Sequence, residues 1–437
     1  MLRRIPVTEY VPVEDVSSDD IRLIRARLAE LAVELRPRRK FVAPGSDLVI
    51  RNLVGTVQVN RDLVLDIAPD VSEGVDWAGA LVDLLSPPTR IGFGGENRES
   101  ERRPVRVLPD AFAELYLRQL DGALRKDGPL TLIQSQYASV PSLAGRLDVT
   151  RWVTQRTLKP ADFPQHRSAL TVDNPFTAML AAVAQLLASS TSDPRVASAL
   201  HGASGRLRPG LAPHVALDPS AALRELPPQW RAYGPAWATA RSVVRRVAPL
   251  RRHGHLEGLG VALEPWPLLE TLLERSLKAV GEVAARQGHA GLSGLGHTGT
   301  YPLRTPTGDT APGTERFHVK GDVDPDGLLR RGSDVVATFE AKYTTPTTER
   351  IRTHAFQALT TAAALRSPIA VLVYPTNFEP IIWELTGFTT HPQRLIAVGL
   401  DMYRYRSGVG DASRAERLYR GIEAALPAAS AAAAVAS

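Results

Sequence analysis

Between Asp326 and Lys342 the chain carries two carboxylates and an ammonium that folding could bring to one spot. Pro325-Asp326-Gly327 reads as a turn leading into a strand, Arg330-Arg331-Gly332-Ser333 as a hairpin, and the apolar run 335–339 as a second strand ending in Glu340-Ala341-Lys342. Residues two apart in a strand share a face, so Glu340 and Lys342 project together while Ala341 points into the core. If Asp326 lies on the neighbouring antiparallel strand, the three groups converge. Oxygen ligands hold Mg²⁺. Such an ion polarises a phosphoryl oxygen and acidifies bound water, and an adjacent ammonium orients that water or offsets developing charge. The chemistry indicated is metal-assisted phosphodiester hydrolysis. A charged hairpin without chemistry is the competing reading, since Glu-x-Lys is common on solvated edges and Pro-Asp-Gly is an ordinary turn. Against it, the apolar run before Glu340 reads as a buried central strand, and ionic groups at its end need partners or a ligand. Asp324 shares a face with Asp326 in an extended segment, so a shift in register would make Asp324 the ligand.

The elements that must position these groups lie on either side. Upstream, Leu269, Leu272, Leu273 and Leu277 recur at helical spacing, and Pro267 suits the first turn. Glu270 lies beside that apolar stripe, where it can face the strands, and Glu274, one turn on, is its substitute. Downstream, residues 351–365 read as a helix carrying Gln357, and 369–374 form a β-branched run typical of a buried strand. Helix, hairpin, Glu-x-Lys strand, helix, strand is the order of an α/β sandwich core.

The Asp326, Glu340-x-Lys342 pattern resembles the PD-(D/E)xK nuclease active site. Over most of its length the chain resembles the McrC family, the nuclease subunits of McrBC modification-dependent restriction systems. Val54-Gly55-Thr56-Val57 and Leu63-Val64-Leu65-Asp66-Ile67-Ala68-Pro69 are similar to a family segment, with Asp70 where Lys is usual. Gly145-Arg146-Leu147-Asp148 and Asp173-Asn174-Pro175 match two further elements, with Thr177 where Asn is usual. Pro267-Leu268-Leu269-Glu270 matches a helix, Asp326 with Glu340-Ala341-Lys342-Tyr343 the nuclease core, and Gln357 a downstream glutamine, with Thr361 where Tyr is usual. The resemblance implies Asp326 and Glu340 as Mg²⁺ ligands and Lys342 beside the attacking water. It implies Glu270 as a further acidic group supporting the metal and Gln357 as a supporting group. It also implies a McrB-like AAA+ GTPase acting in trans, whose hydrolysis this subunit stimulates, and double-stranded, modified DNA as substrate.

Composition is compatible with this reading. The chain has 437 residues, 44% hydrophobic and 22% charged, with net charge +6 and no cysteine. It is long enough for two or three domains, mildly suited to a polyanion, and excluded from disulfide or cysteine chemistry. Met1-Leu2-Arg3-Arg4-Ile5-Pro6 lacks a signal core, no apolar run is long enough for a bilayer, and a cytoplasmic protein is expected. Gly92-Phe93-Gly94-Gly95 lacks the Gly-Lys-Ser/Thr of a phosphate loop, so an NTPase function would belong to another chain.

The expected fold is α/β, or α+β multidomain, in three parts. A β-rich, partner-docking domain spans 1–150, with a helix over 18–35, strand alternation over 48–67, a loop over 92–104 and a helix over 111–124. A helical region spans 151–254, with a buried helix over 176–188 and a loop over 189–219. Its helix 237–247 carries Arg241, Arg245 and Arg246, continued by Arg251 and Arg252, as the DNA-contacting candidates, though an ordinary solvated basic face is the alternative. The PD-(D/E)xK restriction-endonuclease-like core spans 255–426, followed by a disordered Ala-rich tail over 427–437. The partner surface is expected at Val54 to Ile67. His253 and His255 read as a linker pair, and His318 and His354 flank the site. Two rival functions are a non-catalytic DNA-binding assembly subunit and a self-sufficient repair nuclease.

Overall fold

The computed structural model describes residues 3–85, 108–247, 262–302 and 322–425, apart from 15, 36, 38, 39, 61, 72, 73, 156, 160, 213–217, 289, 290, 297, 298, 388 and 389. The expected loop 92–104, Arg251 and Arg252, His253 and His255, His318 and the tail 427–437 lie outside the described residues, as do the side chains of Arg245 and Arg246.

Two compact units divide the chain. The first comprises residues 1–55, 62–107 and 262–437, and the second comprises 56–61 and 108–261. These boundaries differ from the cuts at 150 and 254 drawn from the sequence. The reason is long-range pairing, which no linear composition shift reveals.

In the first unit, β1 (Arg3–Thr8) precedes α1 (Ser18–Leu35), which spans the expected residues; Ser17, whose Oγ accepts from the Asp20 N–H, caps it rather than Ser18. β2 (Val54–Gln58), of which only Val54 and Gly55 belong to this unit, and β3 (Leu63–Ala68) follow, then α2 (Trp77–Leu85). β1 runs parallel to β3 through six register pairs. Val54 and Gly55, at the start of β2, pair antiparallel with a strand more than 200 positions later, described below.

The second unit contains α3 (Leu108–Asp127), β4 (Leu132–Val140), β5 (Arg146–Leu147), α4 (Val149–Gln155), β6 (Phe163–Thr171), α5 (Pro175–Ser190), α6 (Pro194–Leu207) and α7 (Gly234–Val247). Asn174 caps α5 by accepting from the Phe176 and Thr177 N–H groups, and Thr177 closes the capping box. α6 occupies part of the stretch expected to be a loop. Asp193 caps it, Pro194 opens its first turn, and Leu200, Ala203 and Leu207 bury one stripe. Of the Ser and Gly content that suggested a loop, Ser204 is buried on that same stripe. The region is also less helical than expected, because β4 and β6 pair antiparallel through nine positions in a sheet of order β4-β6-β5. β4 has no buried residue, and the register partners Ile133 and Leu170 are 72% and 70% exposed.

The first unit resumes with β7 (Ala262–Leu263), the partner of Val54 and Gly55, and α8 (Trp266–Arg286). Then come β8 (Leu292–Gly296), β9 (Tyr301–Pro302), β10 (Asp322–Val323), β11 (Gly327–Arg331), β12 (Asp334–Ala341), α9 (Thr348–Ala364), β13 (Ile369–Tyr374), β14 (Ile381–Glu384), β15 (Arg394–Gly399) and α10 (Gly410–Ala425). Among the described residues a six-stranded sheet has the order β14-β15-β13-β12-β11-β8. β12 is antiparallel to β11 and parallel to β13, and α9 makes the crossover between the parallel strands. Ala358 and Ala362 of α9 pack on Ala370, Leu372 and Tyr374 of β13. Small residues on the helix let it lie close to the sheet. On α8, the stripe Leu269, Leu272, Leu273 and Leu277 is buried as its spacing predicts. Gly294 lets β8 approach that helix, because a Cβ there would sit 2.0 Å from the Leu277 carbonyl oxygen. No described helix is long and apolar enough to cross a membrane.

Candidate active site

β12 is buried from Val336 onward, and Glu340 near its end and Lys342 just past it form the site. Gly327 pairs with Phe339, so extending the antiparallel ladder by one step sets Asp326 opposite Glu340. The Asp326 Oδ2 accepts from the Ala341 N–H at 2.7 Å. The expected convergence is therefore present. Asp324, the alternative from a shifted register, is exposed, whereas Asp326 is half-buried and bonded to β12.

Glu340 and Lys342 are 2% and 5% exposed. Buried ions need close partners, and these have them. The Lys342 Nζ donates to Glu340 Oε2 at 3.1 Å and to Gln357 Oε1 at 2.8 Å. The Gln357 Nε2 donates to the same Glu340 Oε2 at 2.9 Å. Thr361 Oγ1 donates to Glu340 Oε1 at 3.0 Å. Gln357 and Thr361, one turn apart on α9, thus hold the carboxylate and ammonium in one orientation. Thr361 stood out in the sequence only as a departure from the family pattern, yet it binds the Glu340 oxygen that Lys342 and Gln357 leave open. Its signal was its position four residues after Gln357.

Glu270 projects from α8, half-buried, and accepts from the Trp266 Nε1 at 2.7 Å. Burial, then the Glu340 charge, pushes Asp326 up to about 6; the Ala341 N–H and the Lys342 ammonium oppose this, and Glu270 adds to it. These carboxylates therefore feel one another. Glu274, the substitute for Glu270, accepts instead from Lys278 at 2.6 Å on the surface. His354 does flank the site, its Nδ1 lying 3.1 Å from the Tyr374 hydroxyl.

A hard divalent cation would meet only oxygen donors here, and crowded carboxylates whose repulsion it would relieve. The donor set fits Mg²⁺, although among the described residues no three His, Cys, Asp or Glu side chains form a ready-made cage.

The N-terminal segment reaches the same strand end by a route invisible in the sequence. Glu9, one residue past β1, is 1% exposed. It accepts from the Tyr343 hydroxyl at 2.6 Å and from the Leu53 N–H at 2.9 Å, and the Tyr403 hydroxyl donates to that of Tyr343 at 2.7 Å. Burial pushes the Glu9 carboxyl up to about 8.

The expected partner surface from Val54 to Ile67 is mostly core, since Val54, Val57, Leu63, Val64, Leu65 and Ile67 are buried. Substitutions there would disturb the fold rather than a surface. Of the basic candidates, Arg241 lies in the second unit, whereas the residues around Glu340 belong to the first. Its Nε is buried without a hydrogen-bond partner among the described residues.

The family model for "McrBC 5-methylcytosine restriction system component" matches residues 48–375. No curated protein matches the chain. Among solved structures, it is similar to a chain of the refined half-complex from the tetradecameric assembly of Thermococcus gammatolerans McrB AAA+ hexamers with bound McrC. The TM-score is 0.61 at 14% identity, with 97% of this chain and 100% of that chain covered. A chain of the cryo-EM structure of the Thermococcus gammatolerans McrBC complex matches with TM-score 0.45 and 15% identity over 63% of this chain and 87% of that one. The first of these likenesses is one of fold.

Proposed function

Because the chain belongs to the family of McrBC 5-methylcytosine restriction system components, we propose that it is the Mg²⁺-dependent endonuclease subunit of a McrBC-like restriction and anti-phage defence complex. The observation that carries this reading is the buried Glu340–Lys342 pair, tied by Gln357 and set opposite Asp326. Carboxylate, carboxylate and ammonium at the end of a central strand is a PD-(D/E)xK arrangement, in a mixed α/β core.

In this mechanism Asp326 and Glu340 would hold Mg²⁺, and Glu270 would be a further acidic group supporting it. When bound, the ion supplies Lewis acidity toward the scissile phosphate and a more acidic water. Lys342 is held by two hydrogen bonds and keeps its ammonium beside the carboxylates, where it would orient the nucleophile or offset charge developing on the phosphate. Gln357 fixes Lys342 and Glu340 relative to each other. Thr361 keeps the Glu340 carboxylate from rotating.

Phosphate contacts carry no base information, so specificity must come from elsewhere. An AAA+ GTPase like the McrB of the similar assembly would recognise modified cytosine, be stimulated by this subunit and deliver the DNA, in the cytoplasm. The apolar surface suited to such a partner is the exposed β4–β6 ribbon around Ile133 and Leu170. Arg241, Arg245 and Arg246 remain the proposed auxiliary DNA contacts.

The test is cleavage of cytosine-methylated and unmethylated plasmid in Mg²⁺, with and without the NTPase and nucleotide, using wild type and Lys342→Ala. Partner-dependent cutting lost in the variant supports the proposal. Equal behaviour of the two proteins removes the nuclease assignment.

A further inference from the structure

Next to the Glu340–Lys342 site, the first unit contains a cleft of about 320 Å³. Lys40, Arg51, Arg350 and His354 line it, and no carboxylate does. Tyr343 and Thr344, the two residues that follow Lys342, also line it. Lys40 and Arg51 are exposed, and among the described residues neither side chain has a hydrogen-bond or ion-pair partner. A concave site lined by cations of one sign is favourable to an anion, because low-dielectric walls focus the field.

The cleft continues the site geometrically. Arg350, His354, Gln357 and Thr361 follow one another at intervals of four, three and four on α9, and so share one face. One end of that face holds Glu340 and Lys342, and the other lines the cleft. Arg350 lies about 10 Å along the helix axis from Gln357, at 1.5 Å rise per residue. The Arg350 Nη1 donates to Thr344 Oγ1 at 2.8 Å, which fixes the guanidinium at the cleft wall with donors to spare.

The cleft is also built with some strain. Tyr10 and Asn52 line it, and both have positive φ, 65° and 53°. Non-glycine residues reach that region only when their surroundings hold them there, and such residues gather at functional sites. The Tyr10 hydroxyl donates to Asn52 Oδ1 at 3.1 Å, and the Arg350 guanidinium lies 5.9 Å from the Tyr10 ring centre. The result is an aromatic ring fixed at the wall of a cationic cleft. Phosphate oxygens with an adjoining sugar or base match that combination.

We propose that this cleft binds the DNA strand beside the scissile phosphate, with Lys40, Arg51 and Arg350 taking a neighbouring phosphodiester and Tyr10 contacting the adjoining nucleoside. The inference rests on the nuclease reading of the Glu340–Lys342 site. A phosphate on a free nucleoside triphosphate presents similar chemistry, so the experiment must separate the two sources.

Full-length Lys40→Ala/Arg51→Ala is compared with wild type and with the control Arg352→Ala/Lys126→Ala, all checked for equal thermal unfolding. Binding of a fluorescent DNA duplex is measured against salt, and binding of GTP and of inorganic phosphate is measured separately. The expected result is roughly tenfold weaker DNA binding, with a salt slope reduced by about 1 as the contact to that phosphodiester is lost. The control pair should match wild type. Unchanged DNA affinity and slope would overturn the proposal, and loss of GTP binding with DNA binding intact would overturn it in favour of a free nucleotide. Cleavage of plasmid by wild type with the NTPase is recorded in parallel. If it is present and abolished by Lys342→Ala, failure of the cleft variants to weaken DNA binding refutes the cleft alone; if wild type neither binds nor cuts DNA, the nuclease reading fails with it.

Discussion

The Tyr343 hydroxyl donates to the buried Glu9 carboxyl at 2.6 Å, although the two residues are 334 positions apart. Tyr343 directly follows Lys342, so the segment after β1 is hydrogen-bonded to the residue beside the candidate active-site lysine. Residues 1–55 are part of the same compact unit as the sheet that carries Glu340.

Burial of that carboxyl, which the Tyr343 bond only partly offsets, makes stability depend on pH. Glu9 rises from 4.5 to about 8 on folding, so between these values the native state binds the proton that the unfolded state has released. Its contribution is complete below about pH 4.5, and stability then falls by up to about 1.4 kcal/mol per pH unit as pH rises toward 8. Denaturant unfolding of Glu9→Gln should show a flatter profile across this interval and a more stable protein than wild type at pH 8.5. A parallel pH dependence in both proteins would assign the effect elsewhere.

Lys342→Met keeps the aliphatic stem and removes the ammonium from a buried pair. DNA cutting should be lost, and stability should fall by about 3–5 kcal/mol, as when one partner of a buried ion pair is removed. Mg²⁺ should recover more stability in this variant than in wild type, because the carboxylates left without Lys342 are the ones proposed to hold the ion. Thermal unfolding with and without Mg²⁺ measures this.

Thr361→Val preserves shape but leaves Glu340 Oε1 without its donor. An unmet buried acceptor costs about 1–3 kcal/mol, and losing a group that orients a metal ligand lowers metal affinity by about 10–100-fold. Mn²⁺ titration followed by electron paramagnetic resonance should show the loss, with Gln357→Ala giving a comparable one. Full affinity in Thr361→Val would make Thr361 a packing residue only.

Asp326 stands at about 6. A carboxyl raised to that value is protonated below it and must release its proton to bind a cation. Metal affinity should therefore fall about tenfold per unit as pH drops below 6. Asp326→Asn should abolish that dependence together with most of the affinity.

Ile133 and Leu170 face each other across β4 and β6 and are largely exposed. Placing Asp at both positions should weaken association with the proposed AAA+ partner in analytical ultracentrifugation. Unfolding should change by little, since exposed positions usually shift stability by about 0.5 kcal/mol or less. Undiminished association would place the partner surface elsewhere.

Local pattern alone was enough for the elements around the site. Leucine spacing marked α8, the apolar run marked β12 as a buried strand, and side-chain alternation put Glu340 and Lys342 on one face. These features depend on neighbouring residues, whose geometry a strand or helix fixes in advance. α6 was missed because its cap, Asp193-Pro194, sits inside a Ser- and Gly-rich stretch that resembles a loop until Leu200 and Leu207 find a core.

Residue types, their spacing and the family resemblance were determined by the sequence: which carboxylates, which lysine, and the glutamine on the following helix. Tertiary structure alone decided which oxygen of Glu340 meets which donor, that Thr361 completes the set, that Glu9 reaches Tyr343, and that residues 40 and 51 share a cleft with residues 350 and 354. Those relations join segments tens to hundreds of positions apart. Local propensity says nothing about them, because only the packing of the sheet and its helices brings them within hydrogen-bonding range.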